Sequence, residues 1–273
     1  MRLYDAVSAF AGKQAKAIKR HLNESGLNDW EDLTKGGLFA FRDTLLSEVA
    51  TSSARTYFAV LRAVLERFED TEKVCKDYRT ILRAKNEKPV KTFLTQTELA
   101  RLDSVAIKTD AERLVLNQFM IAALTGARLS DVRELTPDNI TEGILSYVSI
   151  KTGIQSVIPC SEKVSGYVNG LSEIKKSVTT AGFEKIIRRL CKRAGIDSTV
   201  KVYKAGRHLE GPKWMFVSSH TARISFCTNL SKLGVPLIDV SRLAGHSSVT
   251  MTERYIVKTA IKLPDTAMSY LSL

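Results

Sequence analysis

Apolar side chains recur at helical spacing along most of this chain, and one short stretch breaks that period. From Ile144 to Ile150, and again from Gln155 to Pro159, the pattern alternates as in strands, with Lys151-Thr152-Gly153 as the turn between them. The expected fold is therefore mainly α with a small β-hairpin or sheet. A second interruption, Asn86 to Thr92, is polar, contains Pro89 and separates two periodic regions. Such a stretch reads as an interdomain linker, which divides the chain into residues 1–88 and 89–273.

The helical expectations are specific. Asp5 to Asn23, Leu38 to Val49, Arg55 to Phe68 and Cys75 to Ala84 form a small bundle, with Ser52 or Ser53 capping the third helix. Thr95-Gln-Thr-Glu98 is a capping box opening the next helix. Residues 111–135 read as an apolar helix, a turn at Thr125-Gly126 and a second helix from Ser130-Asp131. Thr180 to Ala194 is periodic and ends at Gly195, and Arg223 to Leu233 ends at Gly234. Pro236 is placed at the first position of the following helix, which Gly245 ends. Ser247 or Ser248 starts a last helix, expected to carry Tyr255.

Composition excludes several classes. No run of about 18 apolar residues exists to span a membrane. The first sixteen residues lack the apolar core of a secretory leader, so the chain is expected to stay where it is made. Cys75, Cys160, Cys191 and Cys227 are scattered without zinc-ligand spacing, so they read as reduced thiols and no metal is expected. Lys plus Arg number 41 against 29 acids, for a net charge of +12. Between residues 175 and 213 there are 11 basic and 3 acidic side chains. A surface of that kind suits a phosphate polymer, because neutralised phosphates release counterions.

Five short pieces could carry chemistry. They are Thr125-Gly-Ala-Arg128-Leu-Ser-Asp-Val132, the hairpin turn at Lys151, His220-Thr-Ala-Arg223, Leu243-Ala-Gly-His246-Ser247 and Thr252-Glu-Arg-Tyr255-Ile256. Singly each has a plain structural reading: a surface cation, an edge-protecting lysine, a cap, a half-core tyrosine. Together and in this order they resemble the tyrosine recombinase, or phage integrase, family, over roughly residues 92–262. Two features depart from the family pattern. Asp131 stands where the acid is usually Glu, and the wording around His220 lacks the more common Leu-Arg-His-Thr.

The resemblance implies a two-domain DNA clamp: a helical core-binding domain, residues 1–88, and a mixed α+β catalytic domain, residues 89–273. It implies a site-specific recombinase that breaks and rejoins DNA through a 3′-phosphotyrosyl intermediate, for integration or excision of a phage or mobile element. Tyr255 would be the nucleophile, with Arg128, Arg223 and His246 on the phosphate, His220 beside the phenol and Lys151 protonating the 5′ oxygen. Planar, permanently charged guanidinium suits paired phosphate oxygens, so no metal or cofactor is called for. Lys201, Lys204, Arg207 and Lys213 are the candidate phosphate contacts of the basic stretch. The tail carrying Ile261, Leu263, Met268, Tyr270 and Leu271 would dock on a neighbouring protomer. The implied partners are double-stranded DNA and three further copies, in a tetramer on synapsed DNA. The implied place is the cytoplasm, on the nucleoid or in a phage host. No arm-binding domain is expected ahead of the bundle. The alternatives are a non-catalytic DNA-binding protein of the same fold and a type IB topoisomerase-like relaxing enzyme.

Overall fold

The computed structural model describes residues 1–85, 90–174, 177–204 and 207–257, except the side chains of 204 and 207. The tail residues Ile261, Leu263, Met268, Tyr270 and Leu271 lie outside the described residues. The chain divides into two compact units between Pro89 and Val90, with Tyr203–His208 assigned to the first.

The first unit is helical. Its elements are α1 (Leu3–Phe10), α2 (Ala15–Glu24), α3 (Lys35–Glu48), α4 (Thr51–Phe68) and the single turn α5 (Tyr78–Ile81). The one helix expected over Asp5 to Asn23 is two, because the chain turns at Gly12, whose φ of +53° favours a residue without Cβ. Thr34 caps α3 through the Gly37 amide. The helix α4 starts earlier than its apolar stripe suggests, at Thr51, and Ala50 rather than a serine stands at its cap. The core is one cluster, including Leu3, Ile18, Trp30, Phe41, Phe58, Leu65 and Tyr78.

The second unit begins with α6 (Gln96–Asp103), opened by the capping box of Thr95 and Glu98 as expected. Then come α7 (Asp110–Thr125) and the short α8 (Leu129–Val132). A three-stranded antiparallel sheet follows, in the order β1 (Ile140–Thr141), β2 (Ile144–Val148), β3 (Gln155–Pro159). Leu145 pairs with Ile158 and Tyr147 with Ser156, placing these four on the buried face. The chain continues through α9 (Glu162–Ser172) and α10 (Thr180–Arg193) to a hairpin of β4 (Thr199–Lys204) and β5 (Arg207–Pro212). It ends in α11 (Ser219–Lys232), α12 (Leu237–Leu243) and α13 (Val249–Glu253). The elements β1, α9, β4 and β5 were not anticipated from the pattern. Pro236 occupies the cap before α12 and not its first turn.

Two helices organise this unit. α7 is buried on nearly every side, from Leu114 to Thr125, and so is the first half of α11. A helix apolar all round sits inside a domain, not on its rim. α7 packs against α9, α10 and α11. The packing of α7 on α11 sets the C-terminal end of one beside Arg223 of the other.

Candidate active site

The turn after α7 is built around Gly126. Its φ is +75°, and a Cβ there would stand 2.6 Å from the Phe226 ring of α11. Glycine alone meets both demands. The Thr125 hydroxyl donates to the Ile121 carbonyl and accepts from the Ala127 amide, which closes the turn. The Gly126 carbonyl then accepts from Arg223 Nη1. Thus Thr125-Gly126 does two things at once: it aims Arg128 and it anchors Arg223.

Gly245 works the same way. It ends the α12 segment with φ +61°, and a Cβ would meet Ser156 Oγ at 2.6 Å. This close approach to β3 delivers His246 to the same place. Arg223 Nε donates to His246 Nε2 at 3.2 Å, and His246 Nδ1 lies 2.8 Å from Thr252 Oγ1. Guanidinium only donates, so His246 Nε2 is the acceptor and Nδ1 carries the proton. In this state the ring has no N–H left for a phosphate. Its two ring nitrogens here hold Arg223 and Thr252.

Arg223 is 1% exposed. With Nη1 on Gly126 and Nε on His246, its remaining Nη2 is buried without a hydrogen-bond partner. Burying an unsatisfied cationic donor is costly unless an anion completes it. The guanidinium carbon lies 5.3 Å from the centroid of the Tyr255 ring.

Asp131 supports the other arginine. It is buried, and its two oxygens accept from Ser149 Oγ at 3.0 Å and the Ile150 amide at 3.1 Å. Arg128 Nη1 donates to the same Ser149 hydroxyl at 3.1 Å. One shortened acid therefore ties Arg128 to the residues that precede the hairpin turn. Lys151 is exposed in that turn, and its charge reaches His220.

Tyr255 lies past the end of α13, in the turn after it, not on the helix itself. Ser248 caps α13 through the Met251 amide. The Tyr255 ring sits 4.9 Å from the His220 ring and 4.6 Å from the His246 ring. His220 is in the first turn of α11, which begins earlier than the apolar stripe suggested. Loss of solvent around its ring, and then the charges of Lys91, Arg223, Arg128 and Lys151, push its pKa down to about 4. His220 is exposed at the surface, so the four cations are the firmer cause. Burial, followed by Arg223, Arg128 and His220, pushes His246 down to about 3. Both imidazoles are thus neutral at pH 7. Burial and the Arg128 charge also lower Arg223 below the usual guanidinium range.

The six residues picked from the motifs belong to one neighbourhood, joined by these contacts and by mutual charge. A seventh residue, Lys91, falls by sequence within the polar linker stretch. It is half-buried, donates to the Arg254 carbonyl and lies 5.2 Å from the Tyr255 ring centroid. No local pattern marks it, because its partner is 163 positions away.

The basic stretch divides differently from its expectation. Lys213 is 7% exposed, and its ammonium is held by Glu98 at 2.6 Å, so it is a buried structural ion pair and not a free phosphate contact. Lys201 is exposed on β4, 3.6 Å from Glu210. The side chains of Lys204 and Arg207 lie outside the described residues. Among the described residues one group of His and carboxylates could hold a cation, namely His21, Glu24 and Glu48 of the first unit. Among the described residues no helix is long and apolar enough to cross a membrane.

The model of the phage integrase family matches residues 92–260. The chain is 25% identical over 210 residues to a tyrosine recombinase XerD of Oceanobacillus iheyensis, covering 68% of this chain and 64% of that protein. It is 26% identical over 175 residues to the integrase of Escherichia phage P2, covering 63% and 45%. These matches thus span roughly half to two thirds of the relatives' length. Among solved structures, a lambda integrase dimer bound to a COC′ core site superposes with a TM-score of 0.69 at 17% identity, covering 93% of this chain and 95% of that one. A lambda integrase tetramer bound to a Holliday junction gives 0.66 at 15%, covering 94% and 77%. At such identities the superpositions establish a shared fold.

Proposed function

We propose that this chain, which belongs to the phage integrase family, is a site-specific DNA recombinase that cuts and rejoins strands through a covalent bond to Tyr255. The observation that carries the reading is the buried, unpartnered Nη2 of Arg223 beside the Tyr255 ring. A donor so placed wants an anion, and a phosphodiester is the anion that a phenol can attack.

The chemistry follows from the geometry. A phosphate entering the site meets Arg223 Nη2 and Arg128, which neutralise its nonbridging oxygens. The Tyr255 oxygen attacks phosphorus, the bond to the 5′ oxygen breaks, and the 3′ phosphate becomes a phosphotyrosyl ester. His220, neutral at pH 7, is able to take the phenolic proton. Lys151, exposed in its turn, gives a proton to the leaving 5′ oxygen. A partner 5′ hydroxyl then reverses the step on another duplex. The ester conserves the energy of the original bond, so no nucleotide cofactor is consumed. Asp131 and His246 hold the two arginines in place.

The substrate is double-stranded DNA, and the working assembly is a tetramer on two synapsed sites. The first unit supplies a core-binding surface for the duplex. The likeness to integrases of a phage and to the Xer recombinases supports service to a phage or mobile element, acting on DNA in the bacterial cytoplasm.

A pool of nicked duplexes with randomised sequence tests this. Cleavage beside a nick releases a short strand and traps the covalent product. The wild-type chain should yield protein-linked DNA of one recovered sequence, and Tyr255→Phe should yield none. Absence of any linked DNA from the wild type would leave only a DNA-binding role. Relaxation of plasmid without exchange between two recovered sites would point to a topoisomerase.

A further inference from the structure

We infer that Lys91 is a positioning residue for the nucleophile: its ammonium holds the turn that carries Tyr255 and keeps positive charge against the phenol ring. The inference rests on the reading of Tyr255 as nucleophile.

The turn in question has little of its own to hold it. α13 has five residues and stops at Glu253, two before Tyr255. Beyond it, the Tyr255 amide donates to Thr252, and the Thr228 hydroxyl of α11 accepts from the Val257 amide and donates to the Tyr255 carbonyl. The Arg254 carbonyl, left free by the end of the helix, is taken by Lys91 Nζ. This contact joins the backbone beside the nucleophile to residues just ahead of α6, far away in sequence. It also fixes where the ammonium sits.

The charge is as specific as the hydrogen bond. The ammonium lies 5.2 Å from the Tyr255 centroid, and the Arg223 guanidinium 5.3 Å from it. Two cations within about 6 Å of one ring are each in cation–π range. As the phenol loses its proton to attack phosphorus, negative charge grows on that ring, and both cations favour it. Among the neighbouring charges that act on His220, Lys91 stands first. Lys91 thus also helps keep that imidazole neutral at pH 7. Lys91 is half-buried, and this burial, followed by the Arg254 charge, lowers its pKa. A lysine serving only solubility has no reason to leave water.

Two measurements on the full chain test this, and one needs no DNA. The first is nitration of Tyr255 by tetranitromethane at mildly alkaline pH, followed peptide by peptide, since the reagent attacks phenolate. Lys91→Met should slow nitration at Tyr255 about tenfold, and Lys91→Arg should restore it to within about threefold. The second is single-turnover cleavage of the nicked duplex recovered with wild-type protein. At saturating DNA, Lys91→Met should cut the rate about tenfold or more with affinity unchanged, and Lys91→Arg should recover most of it. Equal or faster nitration in Lys91→Met would overturn the inference, as would a loss confined to binding or a failure of Arg to restore. If Lys91→Met does not fold, Lys91→Gln takes its place in both assays. If the wild type cuts no DNA, the recombinase reading falls, and the nitration result still decides the placement of Lys91.

Discussion

The paired cations of the first unit and the cations around Tyr255 handle positive charge in opposite ways. In the first, Arg79 bridges Glu66 and Glu69, Lys35 meets Asp77, Arg42 meets Asp43 and Arg20 meets Glu24. Each of these cations has a carboxylate within reach and stays in contact with water. Around Tyr255, Arg128, Arg223, Lys91 and Lys151 share one neighbourhood, and among the described residues the carboxylate paired with any of them is Asp131, 4.0 Å from Arg128, with its oxygens also taken by the hairpin backbone and Ser149. Cations that already have partners contribute to the fold. Four cations gathered around one acid leave a donor, the Nη2 of Arg223, that an incoming anion would satisfy. The number of basic residues is therefore a poor guide to where an anion would bind; the local shortage of acids is a better one.

That contrast breaks most directly at Arg223. Replacing it with Ala removes the unpartnered donor and the contact with Tyr255. Cleavage at saturating DNA is expected to slow by about 3 kcal/mol in barrier, a factor above one hundred, with binding nearly unchanged. A filter-binding isotherm beside a single-turnover rate measures both. An unaltered rate would mean that the buried Nη2 does no chemistry, and the contrast between the units would lose its functional half.

The second unit also contains saturated cations, which sharpens the comparison within one core. Glu112 is 2% exposed and receives Arg193 Nη1 at 2.9 Å and Arg189 Nη2 at 3.1 Å. Arg193, with the Lys108 amide and Arg189, pulls its pKa from 4.5 down to about 2. A folded pKa below the unfolded one means the carboxylate stabilises the fold above about pH 4.5 and loses that contribution as pH falls toward 2. Glu112→Gln should therefore cost about 2 kcal/mol of stability at pH 7, with the gap from wild type closing across that acid window. Urea titrations at several pH values read it. A gap that stayed constant with pH would mean the charge is not what matters.

The mainly helical fold with a small antiparallel sheet was legible in the period of the apolar residues, and part of the candidate site in short local wording. Gly126, Arg128, Arg223, Gly245 and His246 are marked by local wording, because positive φ and close backbone approach leave short, position-specific traces. The capping box at Thr95 and the hairpin around Lys151 are local for the same reason. What escaped depends on partners far along the chain. Lys213 looks like a phosphate contact until Glu98 is found 115 positions away. Lys91 looks like linker until Arg254 is found. The place of Tyr255 just beyond α13 escaped too, since Ser248 signals where that helix starts and no comparable signal marks its stop. The break at Gly12 was hidden because the apolar stripe continues across it.

The smallest expected effect completes the comparison. Arg79 makes two hydrogen bonds to Glu69 and one to Glu66, and its ring contact with Tyr78 is 4.7 Å from the centroid. By count of contacts it outranks Arg128. Yet its side chain is 45% exposed, and ion pairs in water gain little over hydrated charges. Arg79→Ala should leave the cleavage rate unchanged and lower the melting temperature only slightly, by less in high salt than in low. A thermal melt at two salt concentrations and the single-turnover assay decide it. A large loss of cleavage here would mean that the first unit's paired arginine also meets DNA phosphate. Partner count would then fail as the distinction between cations that hold this fold and cations that act.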